Sequence, residues 1–127
     1  MKSSIFKAYD IRGVYPTEIN EDIVVKISKA LARYFKKGTI IVGHDARLSS
    51  PSLHKVVLKN LTTNYKLQVI DIGLVTTPML YFLVNHFKSV GGIMITASHN
   101  PKNYNGLKVV GAKARPISGK EISELID

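Results

Sequence analysis

The sequence predicts an α/β fold: a three-layer α/β/α domain whose mixed, mostly parallel sheet is flanked by helices. Three observations carry this. Short apolar runs rich in β-branched residues alternate with stretches of helical periodicity. Two of the helical stretches open on a hydroxyl residue followed by proline. Strand, helix, strand, helix, strand at this spacing is the pattern of right-handed crossovers in a parallel sheet.

Taken in order, an extended opening segment precedes a helix over 21–37, in which Ile23, Ile27, Leu31 and Phe35 recur every four residues. Asn20 is its N-cap and Gly38 lies just past its end. Thr39-Ile40-Ile41-Val42, bounded by Gly38 and Gly43, reads as a strand buried on both faces. Ser50-Pro51 opens the next helix, with the serine as cap and Leu53, Val57 and Leu61 as buried stripe. Leu67 to Asp71 is a second strand. Thr77-Pro78 repeats the cap and proline, with Met79, Leu83 and Phe87 expected to face inward. Val90 to Ile95 is the third strand, and Gly91-Gly92 within it marks close backbone packing. Gly106 to Val110 follows too soon for a helical crossover, so it turns back antiparallel and makes the sheet mixed. Ser118 to Glu121 spells a capping box that starts a helix running to Asp127.

At 127 residues the chain fits one domain. Hydrophobic residues at 45% and charged residues at 21% describe a globular protein, neither disordered nor membrane-embedded. The absence of cysteine excludes a disulfide framework and thiol chemistry and suits a reducing compartment. With no apolar signal core at the N-terminus and no stretch near the roughly 20 apolar residues of a membrane span, the expected location is cytoplasmic. The net charge of +9 attracts anions. The lysines are scattered and no aromatic residues interleave with a basic stripe, so nucleic acid ranks behind small phosphates as a partner.

Ligands of open α/β sheets bind beyond the carboxyl ends of the strands. Two polar loops leave there: Gly43-His44-Asp45-Ala46-Arg47-Leu48-Ser49-Ser50 and Thr96-Ala97-Ser98-His99-Asn100-Pro101. The segment Asp71 to Thr77 is milder and is given a structural role. Ser98 and His99 are adjacent, so their side chains diverge and form no nucleophile-base pair; no G-x-S-x-G elbow, P-loop or G-x-G-x-x-G is present. What remains is a hydroxyl flanked by Thr, His and Asn on a basic protein, with Arg12, Arg47 and Lys108 in other turn-like segments. That suits a phosphate. Thr, Ser, Asn and Pro also make ordinary turns, and composition alone leaves both readings open.

The longer motifs decide between them. Thr96-Ala97-Ser98-His99-Asn100-Pro101-Lys102-Asn103-Tyr104-Asn105-Gly106-Leu107-Lys108 is similar to the phosphoserine signature of the α-D-phosphohexomutases. Phe6-Lys7-Ala8-Tyr9-Asp10-Ile11-Arg12-Gly13 resembles the opening motif of their phosphomannomutase/phosphoglucomutase branch, and Gly43 to Ser49 resembles a third family block. The resemblance covers nearly the whole chain, as domain I of a four-domain enzyme.

The resemblance implies that Ser98 carries a phosphoryl group and exchanges it between O1 and O6 of a hexose phosphate, through a hexose 1,6-bisphosphate. It implies Lys108 as general acid or base, Arg12 and His99 beside the phosphoserine, and Tyr9, Arg47 and Asn100 as substrate or phosphate contacts. It further implies a magnesium ion (Mg2+) that takes from this domain only the phosphate of Ser98. The family's metal loop, sugar-recognition loop and distal phosphate loop have no counterpart here, so the expected partners are the remaining domains and the isolated chain is expected to be inactive. The competing reading is a non-catalytic phosphate- or polyanion-binding module.

Overall fold

The computed structural model describes residues 1–126; Asp127, the expected end of the last helix, lies outside them. The described elements are β1 (Ile11–Val14), α1 (Glu21–Phe35), β2 (Gly38–His44), α2 (Ser50–Leu61), β3 (Leu67–Leu74), α3 (Thr77–His86), β4 (Gly91–Ile95), β5 (Tyr104–Gly111), β6 (Pro116–Ile117) and α4 (Gly119–Leu125). The sheet order is β1-β5-β4-β2-β3. Strands β3, β2 and β4 are parallel, as crossovers through α2 and α3 require. The turn-back of β5 on β4 is antiparallel, and β1 and β6 pair end to end along the outer edge of β5. The sequence shows neither of these two short strands: β1 is four residues with a central glycine, and β6 is two.

The fold is α/β, with the layers unequally covered. Ile27, Leu31 and Phe35 of α1, Leu53, Val57 and Leu61 of α2 and Ile122 of α4 pack on Ile40, Val42, Ile93, Ile95, Leu107 and Val109. Among the described residues α3 is the one α-helix against the other face, where Leu80 and Val84 meet Ile41, Met94 and Val110. Fully burying each such aliphatic side chain is worth about 1.5–3 kcal/mol relative to exposure. Gly91 and Gly92 sit where both layers press closest. A Cβ on Gly91 would overlap the Phe35 ring, and one on Gly92 would lie 2.7 Å from Val84.

Several local expectations shift. Asn20 caps α1 as expected, its Oδ1 accepting from Ile23 N at 3.0 Å. In the first turn, however, Val24 is buried and Ile23 only partly so. A strict four-residue spacing drifts by about 40° per step on a helix of 3.6 residues per turn, which rotates Ile23 off the buried stripe. The helix ends at Phe35, with Lys36 (φ 60°) as its C-cap, two residues before Gly38, which also has a positive φ of 120°. The Asn64 side chain donates to Ala32 O and Lys36 O, at 2.9 and 2.8 Å, and stops it there.

The cap of α3 is Thr76, one residue before the expected Thr77. Its buried residues are Leu80 and Val84, while Met79 and Phe87 are exposed. That helix is apolar on almost every side, so periodicity could not choose its inner stripe. Ser50 does not cap α2: it is the first helical residue, and the preceding Ser49 makes no side-chain cap bond either. Both serine hydroxyls are engaged elsewhere, as described below.

Candidate functional site

Because β2 and β4 are parallel neighbours, with His44 opposite Ile95, the segments 45–49 and 96–103 leave the same sheet edge side by side. Asp45 N donates to Ile95 O at 3.0 Å and Thr96 N to Gly106 O at 2.9 Å, which ties the start of each segment to the adjacent strand. The 96–103 loop is not extended. It is built from two tight turns, with Asn100 N donating to Ala97 O at 3.1 Å and Tyr104 N to Pro101 O at 2.9 Å. Ser98 lies within the first of them, in the left-handed region at φ 56°. That conformation costs a non-glycine residue about 1–2 kcal/mol. Its backbone N–H donates to Thr96 Oγ1 at 3.0 Å, and the Asn100 side chain donates to Ala97 O at 2.8 Å.

Arg47 reaches across from the neighbouring segment. Its Nη1 donates to Pro101 O and Tyr104 O at 2.6 and 3.0 Å, and its Nη2 to Ser98 O and Asn100 O at 3.0 and 2.8 Å. Its Nε donates to Asp45 Oδ2 at 3.3 Å. The other oxygen of Asp45 accepts from Arg47 N at 3.0 Å and from Ser50 Oγ at 2.5 Å. Buried Asn105 donates to Ser49 Oγ and Ser50 Oγ at 2.7 and 3.0 Å, while its Oδ1 accepts from Gly106 N at 2.8 Å. Asp45, Ser50 and Asn105 were not singled out from the sequence. The Asp-x-Arg and Ser-Ser spacing was visible, but nothing in it says that these side chains meet 55 residues away.

Ser98, Asn100, Arg47, Asp45, Leu48 and Lys102 line one open cavity of about 590 Å³. Asn100 also borders a polar cavity of about 250 Å³ that Arg12 and Lys7 line. Arg12 lies opposite Gly106 on β5, and Lys108 opposite Met94 on β4. Met94 belongs to the α3-side core, so Arg12 and Lys108 project from that same, thinly covered face, as diagonal neighbours about 7–8 Å apart. Arg12 Nε is 3.6 Å from buried Asp10. Lys108 is half-buried and borders neither cavity, His99 is exposed at the loop tip, and Tyr9 is 76% exposed. The structure thus groups Ser98, Asn100 and Arg47 directly and sets Arg12 alongside. Arg47, expected as a phosphate contact, has all five of its N–H groups on protein acceptors.

Among the described residues no cluster of three His, Cys, Asp or Glu side chains could hold a metal ion. Asp45, the carboxylate beside the Ser98 loop, is taken up by Arg47 and Ser50. A hard cation approaching this loop would therefore find its oxygen ligand on Ser98 itself once phosphorylated, which is compatible with one phosphate ligand from this chain. No helix among the described residues is long and apolar enough to cross a membrane.

Ser98 thus sits on a braced loop at the carboxyl edge of the sheet in an α/β/α domain, beside Arg47. Residues 3–127 match the family model for phosphoglucomutase/phosphomannomutase, alpha/beta/alpha domain I, and the chain belongs to that family. It is 50% identical over 113 residues to a protein of Xanthomonas campestris pv. campestris described as phosphohexose mutases, covering 89% of this chain and 25% of that one. It is 49% identical over 114 residues to a Klebsiella pneumoniae phosphomannomutase, covering 90% and 72%. Among solved structures, a phosphoglucomutase/phosphomannomutase family protein of Burkholderia thailandensis aligns with a TM-score of 0.85 at 32% identity, over 98% of this chain and 29% of that one. A chain from Thermus thermophilus aligns with a TM-score of 0.90 at 33% identity, over 100% and 31%. The chain thus spans about a quarter of the length of the Xanthomonas relative.

Proposed function

We propose that this chain is the phosphoryl-carrying domain I of a phosphohexomutase, a cytoplasmic isomerase in which Ser98 shuttles phosphate between O1 and O6 of glucose or mannose phosphate. The observation that supports this most is Ser98 itself, held left-handed at the tip of a braced loop and lining an open cavity.

In the first half-reaction, the free sugar hydroxyl of a hexose monophosphate attacks the phosphorus on Ser98. The new P–O bond to the sugar forms, the bond to Ser98 Oγ breaks, and Ser98 Oγ takes up a proton. The proton lost by the sugar hydroxyl passes to a base, for which Lys108 is the candidate. The resulting hexose 1,6-bisphosphate turns over and returns its other phosphate to Ser98, so no phosphate is gained or lost.

Arg12 and His99 supply positive charge and hydrogen bonds beside the phosphoserine. Tyr9 and Asn100 contact the substrate phosphate at the rim. A magnesium ion, when bound through the phosphate on Ser98, would neutralise the charge of the phosphoryl oxygens. Its other ligands, and the groups that recognise the sugar, belong to domains beyond this chain.

Intact mass measured on the full-length protein tests the proposal. One phosphate on Ser98, removed by glucose 6-phosphate and absent in Ser98→Ala, is the expected result. Normal turnover by full-length Ser98→Ala would remove the assignment. Binding of glucose 6-phosphate with no phosphate ever found on Ser98 would instead favour a module that only recognises phosphate.

A further inference from the structure

We propose that Arg47 is the positioning residue of the Ser98 loop: its guanidinium gathers four loop carbonyls and so fixes the left-handed turn that presents the Ser98 hydroxyl, without touching the transferred phosphoryl group. This rests on the phosphoryl-carrier reading of Ser98.

A guanidinium has five N–H donors in a rigid planar fork. Here one meets Asp45 Oδ2 and the other four meet the carbonyls of Ser98, Asn100, Pro101 and Tyr104. No donor is left for a phosphate. The side chain is 14% exposed, so these bonds form where water competes weakly. Asp45 fixes the plane of the fork and is itself held by Ser50, which accepts from Asn105 at the start of β5. The network therefore runs from β5 through the first turn of α2 to the guanidinium and back into the loop that precedes β5.

Peptide planarity gives this arrangement a chemical consequence. In a trans peptide the N–H points opposite to the C=O it shares a plane with. With the carbonyls of Ser98 and Pro101 turned in toward Arg47, the N–H groups of His99 and Lys102 are turned away from it. Neither has an acceptor among the described residues. The loop thus puts the negative ends of its peptide dipoles on Arg47 and leaves positive ends outward, available to an anion. Lysine in place of Arg47 keeps the charge but has three donors on one atom and cannot span four carbonyls.

The experiment compares full-length wild type, Arg47→Ala and Arg47→Lys by hydrogen exchange and by steady-state kinetics. Loosening of the loop is expected to raise exchange of the amides between 96 and 105 by roughly 10-fold or more in both variants, with the sheet unchanged. Misplacement of Ser98 is expected to lower kcat for hexose phosphate interconversion by about 100-fold with KM within roughly 2-fold of wild type. Unchanged exchange, or a raised KM with unchanged kcat, would overturn the proposal, the latter by making Arg47 a substrate ligand. If Arg47→Ala does not fold, Arg47→Lys carries both readouts. If the wild-type protein interconverts no hexose phosphate, the mutase reading fails, while the exchange data still decide what Arg47 does.

Discussion

His54 and Asp71 form a polar pair that the proposed chemistry does not use. His54, 5% exposed on α2, has Nε2 2.7 Å from Asp71 Oδ1, and its Nδ1 is buried without a partner. This network fits the neutral tautomer protonated on Nε2, since a second proton on Nδ1 would be buried unpaired. Burial holds the His54 pKa below its ordinary 6.5, with nearby His44 acting the same way, against the opposing pull of Asp71. For Asp71, burial pushes upward, but hydrogen bonds from His54 and Gly73 N outweigh it and hold the carboxyl below its ordinary 3.8. Both groups bind protons more weakly folded than unfolded, so acid favours the unfolded state. The histidine contribution is complete above about pH 6.5 and is lost as pH falls below it; the aspartate contribution is lost only below about pH 4. The urea midpoint is therefore expected to fall between about pH 7.5 and 5.5, and to fall less in His54→Gln. A wild-type midpoint that is flat or rises over that interval would contradict this account of His54.

At the scale of elements, the strongest test lies in β5. Gly106 pairs with Arg12, and a Cβ there would overlap the Ile11 carbonyl of β1. Gly111, on the same strand, would meet only atoms at 3.8 Å. Gly106→Ala is expected to cost about 2 kcal/mol or more, because β1 must shift, whereas Gly111→Ala is expected to stay within about 0.5 kcal/mol. Urea unfolding of the two variants, with equal losses as the contrary outcome, checks this. Legibility in the sequence followed how sharply each element was patterned. In α1 and α2 polar residues alternate with a single apolar stripe, so Ile27, Leu31, Leu53 and Val57 were placed correctly. In α3 apolar residues surround the axis, and the sheet rather than periodicity selected Leu80 and Val84. The cap of α2 was misread because the hydroxyls of Ser49 and Ser50 serve a contact with Asn105 that no local rule contains.

For the whole molecule, the unequal layers are the informative feature. With α1, α2 and α4 on one face and α3 the one described α-helix on the other, Arg12 and Lys108 stand on the α3 side of β1 and β5. The open cavity at Ser98 does not exclude water, which charge stabilisation in the proposed phosphoryl transfer requires. The 127-residue chain alone is accordingly expected to show no glucose 1-phosphate turnover in a coupled assay with magnesium and hexose bisphosphate, under conditions where the full-length protein turns over. Comparable activity in the isolated chain would mean that this domain suffices.

The sequence alone determined the order and kind of the main elements, the mixed sheet and the two polar loops at one edge, because helical and strand periodicity and turn chemistry are local properties. Tertiary structure alone decided that Arg47 serves the loop's carbonyls, that Ser50 and Asn105 brace it, and that Arg12 and Lys108 share a face. Each of these depends on which strands become neighbours, and pairing between distant segments is set by the packing of the whole sheet rather than by the residues beside each position in the chain.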